Sequence, residues 1–267
     1  WRDNFECYDP FIISDIGEWT IYDLDGGTTW GANDVDFVNE SYVGAGIIYN
    51  QSQATFTGAE VLEWNTYQGE QGLYFIASGA NGTTIPNDDW MISPEFSLSG
   101  ITSPIFSLKA KSVNDTYGLE RFQIAVGNST DYNDFTVISD GAYIEAPTDW
   151  NTYEYDLSEY EGQNIRIAIH YIGNDSFVLQ TDSFKVEGTL GINENEISDF
   201  EYYYNPLNDL LNISSSESLA NIQIYNVLGQ KVIEETINDF NYQIDLSGLS
   251  TSIYIVKVES ENGINTI

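Results

Sequence analysis

Apolar and polar residues alternate with a period of two along most of the chain, the spacing of a strand with one face buried and one face wet. Phe106, Leu108 and Ala110 interleave with Ser107 and Lys109. Phe122, Ile124 and Val126 interleave with Arg121, Gln123 and Ala125. Tyr153, Tyr155 and Leu157 follow the same rule, as do Ile165, Ile167 and Ile169. Gly, Asn, Asp and Thr punctuate these runs, and no helical stripe is longer than two turns. Residues 1–187 therefore read as an antiparallel sandwich or jelly roll. A second alternating set lies over residues 199–267. Ile222 and Ile224 alternate with Asn221 and Gln223, the chain turns at Asn226–Gly229, and Lys231 to Glu235 returns. Gly229 is free to take a positive φ there. Tyr254, Val256 and Val258 share one face of a later strand, so this unit reads as a small β-sandwich. Residues 188–198, short of core-formers and rich in Gly, Asn and Glu, read as a linker. The expectation is an all-β chain of two domains.

Charge narrows the partners. The 267 residues carry 42 Asp+Glu against 8 Lys+Arg, a formal charge of −34. Such a surface repels nucleic acid and anionic membranes and attracts cations. With 42% hydrophobic and 14% aromatic residues the chain has the material for a core. The single cysteine, Cys7, excludes an internal disulfide, and it reads as a small apolar strand residue. No apolar run approaches the ~20 residues of a membrane-spanning helix.

The tail carries a more specific pattern. Tyr203-Tyr204-Asn205-Pro206 is followed by Leu210-Leu211-Asn212-Ile213, the Ile224 to Val232 hairpin, the Asp245 to Leu249 corner and the Ile253 to Val258 strand. This series resembles the C-terminal sorting domain of proteins exported by the type IX secretion system of Gram-negative bacteria. Tyr204 and Ser252 depart from the family, which usually has Pro and Gly there. The resemblance implies an Ig-like β-sandwich whose sorting signal includes Pro206, Gly229, Gln230, Lys231, Gly248, Leu249, Tyr254 and Ile264. It implies export through the periplasm and outer membrane to the surface or beyond, with the export machinery as a partner. It also implies a natural precursor longer than this sequence, with a signal peptide ahead and a basic end behind.

The front unit has its own series. Asn4-Phe5-Glu6, Trp19 to Gly27, Asn87 to Pro94, Trp150 to Ser158, Ile165 to His170 and Thr181 to Val186 resemble the cleaved adhesin domain of gingipain-type proteins, a jelly roll akin to MAM domains. Residues about 36–72 stand out as a long excursion from that pattern. Asp182 shares strand parity with Val178, Phe184 and Val186 and is expected to point inward, where an unpaired carboxylate is costly. Asp23 and Asp25, two apart before Gly26 and Gly27, form a turn able to present oxygens to a hard cation. The resemblance places calcium near these positions and implies Glu6, Asp23, Asp25 and Asp182 as metal ligands, the ion being structural. Solvation of a turn by Asp23 and Asp25 is the plainer alternative.

Trp30, Trp64 and Tyr67 fall outside the regular alternation, in loops. There they are candidates to stack on sugar rings or to anchor a protein, or else to pack beneath their own loop. Trp19, Trp90 and Trp150 sit at motif positions and read as core. Asp88 and Asp89 read as a turn before a strand, with a second cation site as the sharper alternative. Catalysis finds little support. His170 is the sole histidine, and no third group orients a Cys7–His170 pair. The expectation is a non-enzymatic, calcium-stabilised adhesin-type module that binds a glycan or a host or surface protein. Two alternatives stay open: an accessory domain tethering an enzyme encoded upstream, and cargo that matters mainly to the export machinery.

Overall fold

The computed structural model describes residues 1–57, 63–190, 197–260 and 263–267. The chain divides into two compact units, Trp1–Gly191 and Ile192–Ile267. Regular structure among the described residues is β-strand with short 3-10 turns, and no helix is long and apolar enough to cross a membrane.

The first unit is a sandwich of two antiparallel sheets. One runs Asn151–Asp156, Ile101–Ser112, Val178–Leu190, Gln71–Ile76, Ile47–Asn50, with Arg2–Asp3 also paired to Val178–Leu190. The other runs Thr136–Val137, Glu120–Gly127, Asn164–Tyr171, Asp89–Ile92, Thr20–Asp23, with Phe96–Ser97 and Ile144–Ala146 alongside. The alternating runs put their apolar members between the sheets. Phe106, Leu108 and Ala110 from the first sheet meet Phe122, Ile124, Val126, Ile165, Ile167 and Ile169 from the second in one buried cluster. Burying such side chains away from water is worth roughly 1.5–3 kcal/mol each and drives the sheets together.

The outer faces of both sheets are also covered, which strict alternation does not foresee. On the first sheet, Tyr49, Trp64, Tyr74, Ile76 and Val178 form a second cluster with Phe11, Val35 and Tyr42. Part of the 36–72 excursion supplies this cover, and Ile47–Asn50 within it also becomes a sheet strand. On the second sheet, Trp90, Ile92, Ala125 and Ala168 pack beneath Tyr22, Tyr132 and Phe135. Trp90 thus belongs to an outer-face cluster rather than the central core. Trp150 is half-buried in a T-shaped pair with Tyr67, while Trp19 is in the core. Cys7 is exposed in a turn, because the opening strand ends at Asp3.

The strand that closes the unit runs through Gly188 and Thr189 to Leu190, paired as far as Ile101 and Thr102. The linker expected over 188–198 therefore begins inside a strand, and its residues 191–196 lie outside the described residues.

The second unit is a five-stranded antiparallel sheet of Glu201–Asn205, Leu210–Asn226, Lys231–Asp245, Tyr254–Ser260 and Ile264–Thr266. The long Leu210–Asn226 strand shifts register between Ser214 and Leu219. Before the shift it pairs with Glu201–Asn205, and after it with Tyr254–Ser260. Both halves send residues to one core: Leu211 and Ile213 from the first, Leu219, Ile222 and Ile224 from the second. Among the described residues Ile264–Thr266 pairs with Tyr254–Ser260 alone, and the Asn265 side chain accepts Ile197 N–H at 2.6 Å.

Candidate functional site

The acidic residues singled out in the sequence occupy two places. Asp23 ends a strand and lies opposite Asp89 in the neighbouring one. The turn after it brings Asp25 back, so that carboxylate oxygens of Asp23, Asp25 and Asp89 lie within 4.8 Å of one another. Two of the three carboxylates are well supplied with donors. Asp23 Oδ1 accepts Gly26 N–H at 2.7 Å, and Asp25 Oδ1 accepts Gly27 N–H at 2.7 Å and Ser78 Oγ at 2.9 Å. Gly27 is needed for this approach, since a Cβ there would sit 2.7 Å from Ser78 Cβ. Asp89 differs. It is 2% exposed, and among the described residues only Oδ2 is bonded, to Asn87 Nδ2 at 3.0 Å, while Oδ1 has no partner. Burial, and after it the Asp25 carboxylate, push Asp89 up to about 9. Three clustered carboxylates, one of them buried with an oxygen that no donor meets among the described residues, form a donor set that a hard cation satisfies.

Glu6 and Asp182 sit elsewhere, against the 68–71 turn. Glu6 Oε1 accepts the amides of Glu70 and Gln71, both at 2.9 Å, and Gly69 takes a φ of +70 as the turn wraps round that carboxylate. Asp182 is fully buried, as strand parity suggests, with Oδ2 accepting Gln68 N–H at 2.9 Å and Oδ1 accepting Ser183 Oγ at 3.2 Å. Burial raises it to about 6, and these bonds resist the rise. Here backbone amides reach both carboxylates, whereas in the other cluster they reach Asp23 and Asp25 and the Asp89 side chain is met by Asn87 alone. Asp89 is the residue the sequence signal placed in a turn, and pairing with Asp23 across two strands was its missing cue.

The three aromatic candidates also separate. Trp64 is 2% exposed, with its ring 5.4 Å from Tyr49 and T-shaped to Phe177 at 5.9 Å, so it is a packed member of the outer-face cluster. Tyr67 is exposed, with Lys109 Nζ 4.4 Å above its ring and Trp150 T-shaped to it at 5.8 Å. Trp30 lines a recess of about 440 Å³ with Tyr117, Asp34, Asn114, Thr116 and Asp175, and Trp64 and Phe177 contribute to its wall. Tyr117 is 65% exposed and carries no alternation signal that would single it out in the sequence.

His170 is not aimed at Cys7. Its ring stacks on Trp90 at 4.0 Å, with Nε2 2.8 Å from Asp88 Oδ1 and Nδ1 3.0 Å from Gln123 Oε1. Burial lowers its pKa against the pull of Asp88. This is a packed, hydrogen-bonded side chain on the outer face of a sheet.

In the second unit the Asn226 side chain organises the hairpin tip: Oδ1 accepts Leu228 N–H and Gln230 N–H, both at 3.0 Å, and Gly229 has φ +74. Lys231 pairs with Glu234 at 2.6 Å. Gly248 has no positive φ and open space around it, so it is not the strained turn holder that Gly229 is. Leu249 packs on the core and Tyr254 bonds back to the Ser250 carbonyl at 3.0 Å. Pro206 begins the turn after Glu201–Asn205, and Ile264 opens the edge strand.

Residues 201–267 match the family model described as the secretion system C-terminal sorting domain. This tail marks the chain for export by the type IX secretion system to the cell surface or the extracellular space. The chain is similar in structure to the K2 cleaved adhesin domain of Lys-gingipain, at 18% identity and a TM-score of 0.47, covering 71% of this chain and 98% of that one. The K1 domain from Porphyromonas gingivalis W83 is similar at 14% identity and a TM-score of 0.45, covering 71% and 98%. TmCBM61 in complex with β-1,4-galactotriose is similar at 12% identity and a TM-score of 0.38, covering 64% and 89%. No curated protein matches the chain.

Proposed function

We propose that the chain is an exported surface module whose first unit works by binding, in the manner of an adhesin, and whose second unit is its export address. The observation that carries this reading is the division of labour in the fold. A sorting domain occupies one compact unit, residues 201–267, and leaves a complete sandwich with its own core in the other. Export of such a unit serves contact with something outside the cell. The sandwich offers a concave, aromatic-lined recess for that contact, and such recesses are the usual form of a ligand site.

Calcium is part of this proposal as a structural ion. Asp23, Asp25 and Asp89 would hold it, and the bare Asp89 Oδ1 is what fits them to it. Bound there, the ion would offset three clustered carboxylates and tie the Asp23–Gly27 turn to the Asp89–Ile92 strand. Glu6 and Asp182 remain candidate ligands of a second ion at the 68–71 turn.

The test is retention. Labelled full chain is washed over immobilised matrix proteins, mammalian and bacterial cells, and polysaccharide-coated surfaces, with the second unit alone as control. Retention of the full chain above the control supports the binding module. Equal, background-level retention on every surface removes it.

A further inference from the structure

We infer that the recess lined by Trp30 and Tyr117 binds a neutral saccharide, an inference that rests on reading the first unit as a binding module. A sugar ring offers an apolar C–H face flanked by hydroxyls, so a site for it needs aromatic surface beside groups that both donate and accept. Trp30 supplies the first requirement in a fixed pose. Its amide donates to the Ala77 carbonyl at 3.0 Å, and its ring lies so close over Gly79 that a Cβ there would collide with it. Tyr117 supplies a second ring that is largely open to solvent.

The polar groups meet the second requirement. Asp175 is held by Thr84 Oγ1, which donates to its Oδ1 at 3.0 Å, and Asp175 sits in the left-handed region at φ +57. Asn114 Oδ1 accepts Thr116 N–H at 3.1 Å, which leaves Nδ2 as a donor with no protein partner among the described residues. Acceptors and donors are thus both present, as hydroxyls require. A Lys or Arg side chain of a peptide brings donors only and leaves the Asn114 amide unmatched.

Charge narrows the sugar. Among the described residues, the charged groups on the lining are Asp34, Glu63 and Asp175, all carboxylates. Uronic, sialic or sulfated sugars would be repelled there. The wall is also preorganised, which lowers the ordering cost of binding. Buried Glu120 accepts Ser176 Oγ at 2.6 Å and the Phe177 amide, fixing the segment next to Asp175. Ala32 N–H donates to Glu40 Oε1 at 2.8 Å, fixing the segment next to Asp34. The volume, about 440 Å³, lies within the range of small-ligand sites, roughly 300–1,000 Å³.

The test titrates the full chain calorimetrically with cellotetraose, xylotetraose, mannotetraose and β-1,4-galactotetraose. A sialyllactose, a heparin tetrasaccharide and an Arg/Lys-rich nonapeptide run in parallel. The expected result is binding of at least one neutral oligosaccharide, weakened about tenfold or more by Tyr117→Ala and by Asp175→Asn. Asn tolerates the left-handed backbone at 175, and circular dichroism confirms that each variant folds. The inference is overturned if only the charged glycans or the peptide bind, if no probe binds, or if neutral-sugar binding survives Tyr117→Ala. A chain retained on the surfaces named above that binds no neutral sugar loses the saccharide and keeps the binding module. A chain that fails both tests loses both.

Discussion

Asn87 Nδ2 donates to Asp89 Oδ2 across 3.0 Å, and among the described residues the other oxygen of that buried carboxylate has no partner. An ionised carboxylate in that state is costly. Two remedies exist, a proton or a cation, and they lead to different measurements.

The cation is tested by thermal unfolding. A ligand at ~100 times its Kd adds about 2.7 kcal/mol, enough to raise Tm by several degrees. The full chain is expected to melt higher in calcium than in chelator, and Asp89→Asn is expected to remove most of that difference. Asp182→Ala, which breaks the contacts at the 68–71 turn, should lower Tm in both buffers. Superimposable wild-type melts with and without calcium would discard the ion.

The proton is tested by pH in chelator. Asp89 is raised to about 9 in the fold, against about 4 for an unfolded carboxylate. Between those values the folded state holds a proton that the unfolded state has released, so stability falls as pH rises. Asp182, raised to about 6, adds to the fall over the lower part of that window. Urea midpoints from pH 5 to 8.5 are expected to decline for the wild type and to decline less for Asp89→Asn. A wild-type midpoint that rises over this range contradicts the assignment.

A third prediction concerns Glu120, which is fully buried and accepts Tyr171 Oη and Ser176 Oγ, both at 2.6 Å, as well as the Phe177 amide. Burial raises its pKa while these donors oppose the rise. Glu120→Ala strands three donors, each costing about 1–3 kcal/mol when buried unmet. The expected loss is about 3 kcal/mol or more by urea unfolding, with Glu120→Gln milder because its carbonyl still accepts. Equal, near-zero losses for both would show that the three bonds contribute nothing.

How far the sequence foretells this molecule depends on whether a signal is local. The period-two runs through Phe106, Phe122 and Ile165 place the central core, because a strand's two faces are written in consecutive residues. The tail is legible for the same reason: its hairpin and corner are continuous stretches. What covers the outer faces is not local. Trp64 and Trp90 are buried by segments that only the fold brings over them. Asp89 joins Asp23 and Asp25 through a pairing of two strands more than sixty residues apart. The Trp30 recess likewise draws on Tyr117 and Asp175, whose surroundings in the sequence read as ordinary loop.

Two glycines of the tail should respond differently to the same change. Gly229 has φ +74 at the hairpin tip, where a side chain is strained, and Gly229→Ala is expected to cost about 1 kcal/mol or more. Gly248 has an ordinary backbone and open space, so Gly248→Ala is expected to change stability by only a few tenths. Thermal melts of the two variants in the full chain decide it, and equal losses would mean the hairpin tip is not the strained turn.

The last prediction concerns how the address is read. Among the described residues Ile264–Thr266 pairs with one strand, Tyr254–Ser260, and so offers an edge with no strand partner there. An edge of this kind can be captured by a partner strand, with main-chain hydrogen bonds giving affinity and alternate side chains giving choice. Near the hairpin tip, Val227, Leu228, Ile253 and Ile255 are exposed, with Tyr225 and Asn226 paired to Ile255 and Tyr254. Removing the edge strand spares most of the core, since Leu211, Ile213, Ile222, Ile224, Val256 and Val258 all precede it. Residues 197–267, with any natural residues beyond Ile267 restored, are fused behind a periplasm-targeted fluorescent protein in a strain with a working type IX system. The fusion is expected outside the cell, and a version that ends at Gly263 is expected to stay in the periplasm. Paired replacement of Val227 and Leu228 by Ser, which touches neither the edge nor the core, separates the two surfaces: unchanged export would leave the edge as the recognised feature, and blocked export would move recognition to the hairpin tip. Export of the truncated fusion, or retention of the intact one, would show that the edge strand is not what the machinery reads.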